Sequence, residues 1–154
     1  MANGASAWAT AINAAPTSRT SHPSWHSYHF NRKVRRDVVT LLGNEANGAY
    51  HDLASLQVEG AVLIPEQCVI RYGGSGTVNL TARLDKIDAA GAVTNLTGTV
   101  TVDATGIEVF AAAANTALPT LAATDKLRLT FPAVTTTTAG RLLLIELAFD
   151  IPHS

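Results

Sequence analysis

The sequence contains a single cysteine, no long uninterrupted apolar run and few charged residues. Its one cysteine, Cys68, excludes an internal disulfide and lies in an apolar run, so we expect a small core residue rather than a nucleophile. No apolar run reaches the roughly 18 residues of a membrane span. The N-terminal residues lack the basic start and apolar core of a signal peptide. Because only 15% of the residues are charged, we expect protein partners to cover part of the surface.

Charge is divided unevenly along the 154 residues. Residues 1–36 hold five basic and no acidic residues, whereas the remainder holds six basic and twelve acidic ones. The first part therefore carries +5 and the second −6, which together give the net charge of −1. A basic segment beside an acidic body predicts that the segment binds an acidic surface, on another copy or on a different protein.

Residues 1–33 are predicted to form an extended N-terminal arm, and residues 34–154 a single domain, which we call the body. Pro16 and Pro23 interrupt regular structure in the arm. Both tryptophans of the protein lie in the arm, and aromatic side chains on such segments are common anchors for a partner. The predicted partner-binding residues are four aromatic and four basic ones: Trp8, Trp25, Tyr28, Phe30, Arg32, Lys33, Arg35 and Arg36.

The last apolar stretch, residues 141–151, predicts the central strand of the body. Read with a period of two, one face is wholly apolar, whereas the other is apolar at its start and acidic toward its end. Two faces buried to different depths are typical of a central strand. A buried helix is the alternative, but Pro152 and the threonines before the stretch favour a strand. The wholly apolar face consists of Leu143, Ile145, Leu147, Phe149 and Ile151.

The rest of the body alternates between short strands and turns. Asn47-Gly48 predicts a tight turn, and Pro65 predicts a strand that lies at an edge or is split in two. The four alanines 111–114 predict either one or two helical turns or a loop. A clean alternation predicts that four residues face the core: Val78, Leu80, Ala82 and Leu84. About eight strands can be counted, which predicts an all-β fold, an antiparallel jelly-roll-like β-sandwich.

Three histidines of the arm are the candidate metal ligands. His22, His26 and His29 would share one face of a helix and could hold zinc, but Pro23 and nearby serines oppose that helix. Hydrogen bonds from the arm to a partner are the favoured interpretation, and a pH-sensitive contact is the other, since histidine titrates near pH 6.5. We therefore predict neither a metal site nor a cofactor.

The residues of the body that could form a catalytic or calcium site do not have the arrangement that such a site requires. His51 and Asp52 are adjacent, so on a strand they point to opposite faces and cannot form the orienting hydrogen bond of a catalytic triad. Asp85, Asp88 and Asp103 lack the spacing of a calcium loop, and we expect solvated turn carboxylates. We therefore expect that the protein is not an enzyme.

The basic cluster at residues 32–36 has three interpretations. Four cations in five residues could bind the phosphates of a nucleic acid, but the acidic body would repel the same polyanion. A solvated start of a strand is the second interpretation. A protein partner with an acidic patch is the third, and the distribution of charge favours it.

Several segments of the body share the order and spacing of their predicted strands with known proteins: Val38–Asn44, Gly76–Leu84, Asp125–Leu129 and the last apolar strand. In this pattern of strands, residues 36–151 resemble small structural proteins of tailed bacteriophages. The resemblance implies a β-sandwich that decorates the capsid or forms part of a head or tail appendage. The arm lies outside the resemblance.

From the resemblance and the arm together, we expect a capsid decoration or cement protein that is located in the virion. The expected partner is the major capsid protein or another virion structural protein, and self-association is expected, with a trimer the natural state on an icosahedral lattice. A tail, neck or fibre-adaptor protein is the first alternative. The second, from another class, is a carbohydrate-binding module. Neither a membrane nor a nucleic acid is an expected partner.

Overall fold

The computed structural model describes residues 32–53, 60–73, 76–103, 106–113 and 117–151, which form two antiparallel sheets in a sandwich. The predicted fold class is thus confirmed. Within these residues, the one helical element is a 3-10 turn, Pro65–Gln67, and no helix is long and apolar enough to cross a membrane. The strands are β1 (Arg32–Thr40), β2 (Ala49–Asp52), β3 (Val62–Leu63), β4 (Val69–Gly73), β5 (Asn79–Ile87), β6 (Val93–Asn95), β7 (Val100–Val102), β8 (Ile107–Val109), β9 (Lys126–Phe131), β10 (Val134–Thr136) and β11 (Leu142–Asp150).

The chain alternates between the two sheets, so that distant strands become neighbours. One sheet has the strand order β1-β11-β4-β8, with β3 also paired to β11, and the other has the order β10-β5-β9-β2, with β6 and β7 also paired to β5. The first strand pairs with the last along its whole length, from Arg32 opposite Asp150 to Thr40 opposite Leu142. The start of the body is thereby fixed to its end.

β11 is the central strand that the sequence predicts, with β1 on one side and β4 on the other. Its inward side chains Leu143, Ile145, Leu147 and Phe149 are each at most 1% exposed. Burying a side chain of this size contributes about 1.5–3 kcal/mol. From the other sheet, β5 and the residue before it supply the inward side chains predicted from the alternation: Val78, Leu80, Ala82 and Leu84.

Pro65 splits a strand, which is the second of the two predicted outcomes. β3 and β4 both pair with β11, and the 3-10 turn that Pro65 begins lies between them. A proline cannot donate to a ladder, so the chain leaves the sheet there. Cys68 follows the turn and is fully buried, with its Sγ 3.3 Å from the backbone N–H donor of Ala148. The prediction of a core cysteine is confirmed.

The structure contains more and shorter strands than predicted. β8 and β10 have only three residues each, too few for a period of two to be recognised in the sequence. The alanines 111–113 form a loop rather than a helix: Ala112 bridges to Thr97, and the Gly98 N–H donates to the Ala111 carbonyl at 2.9 Å. Ala114 lies outside the described residues.

The predicted turn at Asn47-Gly48 joins the two sheets between β1 and β2. Gly48 has φ of +83°, in the left-handed region that glycine adopts without strain. The Asn47 Oδ1 accepts a hydrogen bond of 2.7 Å from the Val134 N–H, at the start of β10. The turn is therefore tied to a strand far away in the sequence.

Candidate protein-interaction surface

The two outer faces of the sandwich differ in their chemistry. Nine large apolar side chains are exposed among the described residues, and six of them project outward from the sheet β1-β11-β4-β8. Two others, Tyr50 and Val93, lie on the opposite sheet, and Leu42 follows the end of β1. We call the outer surface of the first sheet the apolar face, and its exposed apolar residues are Val34, Val38, Ile107, Val109, Leu142 and Leu144.

Strand register gathers these side chains into rows that cross the sheet. In one row, Val38 lies opposite Leu144, Leu144 opposite Arg71, and Arg71 opposite Ile107. Directly opposite side chains on one face are close enough to contact each other. Four strands that are far apart in sequence thus supply one continuous strip, in which Arg71 is the single charged residue.

The next row combines an ion pair with two valines. Arg36 lies opposite Glu146, which lies opposite Val69, which lies opposite Val109. The Arg36 Nε donates to Glu146 Oε2 at 2.8 Å. Because the Arg36 side chain is 81% exposed, water screens this pair and it contributes at most about 1 kcal/mol. Its main effect is to cancel charge within the apolar face.

A shallow groove of about 360 Å³ lies between these two rows. Arg71 reaches it from β4 and has no ion-pair partner among the described residues. An unpaired guanidinium beside aliphatic side chains can stack on an aromatic ring or accept a carboxylate as its partner. The groove is lined by Arg36, Asp37, Val38, Val69, Arg71, Leu144, Ile145 and Glu146.

On the outer face of the other sheet, arginine side chains form ion pairs with aspartates of the same chain. Asp85 was expected to be a solvated carboxylate, and that prediction is wrong, because Asp85 is only 1% exposed. Arg83 donates two hydrogen bonds to it, from Nε at 2.8 Å and from Nη2 at 3.2 Å, and Thr130 Oγ1 donates a third at 2.7 Å. The reason is register: Asp85 lies between Arg128 and Asn95 on the two neighbouring strands, which flank it on both sides.

Arg128 extends this polar arrangement to the edge strand β2. Its Nε donates to Asp52 Oδ1 at 2.6 Å, and its guanidinium carbon lies 3.6 Å from the centre of the Tyr50 ring. The hydrogen bond from Arg128 lowers the pKa of Asp52 below its ordinary value, and Asp52 in turn raises the pKa of Arg128. Arg128, Asp52 and the Tyr50 ring thus already have partners within the chain, unlike Arg71 on the apolar face.

The predicted basic cluster does not form one cationic patch. Arg32 begins β1, and alternation along the strand sends Arg36 to the apolar face and Lys33 and Arg35 to the other side. The Arg35 Nε lies 3.2 Å from the Asp37 carboxylate, close enough for charge attraction but without the geometry of a hydrogen bond. Arg35 and Arg36 are therefore each partly neutralised by an acid of the same chain.

The remaining predicted partner-binding residues lie outside the described part of the chain, as do the three arm histidines. These residues are Trp8, Trp25, Tyr28 and Phe30, together with His22, His26 and His29. Their proposed roles stay predictions.

The described residues contain no group of three or more side chains suited to bind a metal ion. His51 and Asp52 point to opposite sides of β2, as their adjacency predicts. The His51 ring packs edge-on against Phe131 with ring centres 5.6 Å apart, whereas Asp52 binds Arg128 on the outside. They cannot share a proton-transfer chain with one another.

The apolar face does not follow from the sequence alone, although the sequence contains a signal for it. Leu142 and Leu144 make the second face of β11 apolar at its start, a pattern that predicts burial, whereas the structure exposes both side chains. Val34 and Val38 repeat the pattern on β1, where charged residues alternate with them. The pairing of these two strands, which brings the four side chains to one surface, is a long-range contact that the sequence does not display.

No protein-family model matches the chain, and neither the curated proteins nor the solved structures contain a match.

Proposed function

We propose that the protein is a structural virion protein of a tailed phage, which decorates and cements the outer shell of the capsid through the apolar face and the arm. Support comes from the contrast between the two outer faces. One exposes six large apolar side chains around Arg71, which has no ion-pair partner among the described residues, whereas the other pairs its charges within the chain. Contiguous exposed apolar surface is typical of protein-interaction sites.

The chemistry of the apolar face defines a suitable partner surface. Val38, Leu144 and Ile107 require apolar contacts, and Arg71 at the centre of their row requires a carboxylate or an aromatic ring. We propose that the shell protein presents an apolar patch with an acidic group opposite Arg71. Mutual burial of such surfaces gives affinity, and the central charge pair gives register.

The arm would extend the attachment to neighbouring shell subunits. Arg32, the first residue of β1, connects the arm directly to the edge of the apolar face. We propose that the arm aromatics are anchors in the shell and that Lys33 binds acidic groups there. Ordering the arm costs about 1 kcal/mol or more per residue, so several buried aromatics and several linked copies are needed to hold it. Self-association of the body, as a trimer, would supply those copies.

The alternative of a carbohydrate-binding module requires exposed aromatic rings on the body. Of the five aromatic residues after residue 36, Tyr72, Phe110, Phe131 and Phe149 are buried. Tyr50 is exposed, and Arg128 already stacks on its ring. This arrangement leaves no aromatic platform for a sugar among the described residues, so the structural role is favoured.

Immunogold labelling tests the assignment. An antibody against the chain would be applied to particles purified from lysed cultures of the organism that encodes it, and gold would be located by electron microscopy. Label spread over the head supports decoration. Label confined to the tail or neck replaces it with the adaptor alternative, and particles without label overturn the virion assignment.

Deleting residues 1–31 tests the contribution of the arm separately. The deletion stops before β1, so the pairing of β1 with β11 is preserved. We expect the truncated protein to fold and to bind particles with lower occupancy. Undiminished occupancy would show that the arm is not an anchor.

A further inference from the structure

We propose that two copies of the protein pair through the outer edge of β1, the side that does not face β11. The two strands run antiparallel around a two-fold axis at Arg36, so the two sheets β1-β11-β4-β8 become one sheet with both apolar faces side by side on the same surface. The inference does not depend on the assignment to a virion. It is compatible with the proposed trimer, because an icosahedral lattice has two-fold as well as three-fold axes.

β1 is the long edge strand of the sandwich. Its nine residues, Arg32–Thr40, pair with β11 on one side, and none of the described strands lies on the other side. The other three strands that end a sheet, β2, β8 and β10, have only three or four residues each. β1 contains no proline, and its register with β11 contains no bulge, two features that block many edges. An edge of this kind is a template for another strand.

The backbone of β1 directs hydrogen-bonding groups to this edge at every second residue. Just beyond the strand, the Leu41 N–H donates to the Arg141 carbonyl at 2.7 Å, so the Leu41 backbone points toward β11. Because this direction alternates along a strand, the N–H and C=O groups of Val34, Arg36 and Val38 point to the outer edge. In the proposed pairing these residues lie opposite one another, and each opposite pair exchanges two hydrogen bonds.

The apolar side chains of β1 are complementary to themselves around Arg36. Val34 comes opposite Val38 of the second copy, and Val38 comes opposite its Val34. The two valines are 44% and 56% exposed in the single molecule, and their contact removes apolar area from water. The row of Val38, Leu144 and Ile107 thereby continues into the second copy.

The charged side chains on the inner side of β1 are complementary in the same register. Arg35 comes opposite Asp37 of the second copy, and Asp37 comes opposite its Arg35. The Asp37 Oδ2 is buried and accepts no hydrogen bond from the described residues, although the Arg35 Nε of its own chain lies 3.2 Å away. A guanidinium on the directly opposite position can donate to that oxygen.

Charges protect many edge strands from such pairing, so the register determines whether they oppose it. A pairing centred on Arg35 would place Arg35 opposite itself, and one centred on Asp37 would place Asp37 opposite itself. The proposed register places only Arg36 opposite itself. Each Arg36 donates to Glu146 of its own chain at 2.8 Å, and its side chain is 81% exposed. The carboxylate and the solvent therefore weaken this repulsion.

Sedimentation equilibrium of the full chain measures the association. We expect the average mass to rise from one chain to two as the concentration increases. Val38→Pro removes an N–H that points to the outer edge and not to β11, a position at which a strand tolerates proline. It should weaken dimerisation about tenfold or more, because the two-fold axis repeats the loss. Circular dichroism should stay that of the folded body.

A charge exchange tests the register without a change of backbone. Asp37→Arg places like charges opposite each other at both ends of the interface and should weaken dimerisation about tenfold. The double variant Arg35→Asp/Asp37→Arg exchanges the two charges and should restore it. Thr101→Asp, at an exposed position on the other sheet, is the control and should change nothing.

A thiol at the axis tests the geometry directly. Opposite residues of a hydrogen-bonded pair have Cα atoms about 5.5 Å apart, within the range that a disulfide spans. The one natural cysteine, Cys68, is buried. Mild oxidation should therefore link Arg36→Cys into a covalent dimer, whereas Thr101→Cys should stay largely a single chain.

Three outcomes would overturn the proposal. The first is the mass of a single chain at every concentration. The second is a dimer that neither Val38→Pro nor Asp37→Arg weakens, since it would form through another surface. The third is a species of three chains without a dimer, which would contradict the two-fold pairing and leave the proposed shell trimer intact.

Discussion

Val38 lies directly opposite Leu144 across the β1-β11 ladder, and both side chains point away from the core. Their chain neighbours Val39 and Leu143 are also opposite one another and are buried. Consecutive residue pairs of this ladder thus point alternately into the core and out to the apolar face. Substitutions in this ladder can therefore separate the stability of the fold from the binding of a partner.

The pair Leu143 and Leu144 gives the first prediction. Leu143→Ala removes a fully buried side chain and should lower the free energy of unfolding by about 2–5 kcal/mol. Leu144→Ala removes an exposed one and should lower it by less than about 1 kcal/mol. Urea denaturation of both variants measures the difference, and equal losses would contradict the orientation of β11.

The second prediction concerns the buried carboxylate Asp85. Asp85→Ala leaves the Arg83 guanidinium without its bidentate partner and Thr130 without its acceptor, so we expect a loss of about 3–5 kcal/mol. Asp103→Ala, at an exposed carboxylate, is the control and should stay within about 0.5 kcal/mol of the parent. Both losses are measured by chemical denaturation. If Asp85→Ala behaved like the control, the polar network would not be structural.

The third prediction is a pH dependence at Glu45, which ties the end of β1 to the loop before β11. Burial would raise the pKa of Glu45, but hydrogen bonds from Thr137 Oγ1 and from the N–H groups of Leu42 and Gly43 outweigh burial and lower it below the ordinary value. Because the folded state holds the carboxylate charged, the stabilisation is present at neutral pH. It is lost as the pH falls through the lowered pKa of the folded state.

The variant Glu45→Gln tests this linkage. It should be less stable than the parent at pH 7, and the difference should disappear in acid below the pKa of the folded state. Denaturation curves recorded across this pH range are the measurement. A constant difference at all pH values would show that the charge of Glu45 is not responsible.

The fourth prediction compares two glycines with nearly the same backbone conformation. Gly43 and Gly48 have φ of +85° and +83°. A Cβ at Gly43 would lie 2.8 Å from the backbone nitrogen of Ala139, whereas one at Gly48 has nothing within 4 Å. Gly48→Ala should cost about 1–2 kcal/mol for the left-handed conformation alone. Gly43→Ala should cost about 1–3 kcal/mol more, because the loop must also move.

Thermal and urea denaturation of the two alanine variants measure this difference. Equal destabilisation would mean that the loop around Ala139 yields without cost, and that the close approach of the two loops is not a structural constraint.

The period of two was sufficient to predict β11, the inward residues of β5 and the sandwich fold, because it reflects the burial of one face. It could not distinguish Leu144, which is apolar and exposed, from an apolar residue buried on a second face. It also assigned Asp85 to solvent, because alternation gives the direction of a side chain but not whether neighbouring strands cover it. Both errors arise from strand pairing, which brings together residues that are far apart in sequence.

The attachment of the apolar face to a shell is tested most directly by binding to particles that lack the protein. Co-sedimentation with such particles would compare the parent chain, the double variant Val38→Asp/Ile107→Asp and the control Thr101→Asp. We predict that the double variant binds about tenfold more weakly or worse, since each substitution places a charged carboxylate where the partner requires an apolar contact, and that the control binds like the parent. Equal binding of all three proteins would contradict the assignment of the apolar face as the attachment surface.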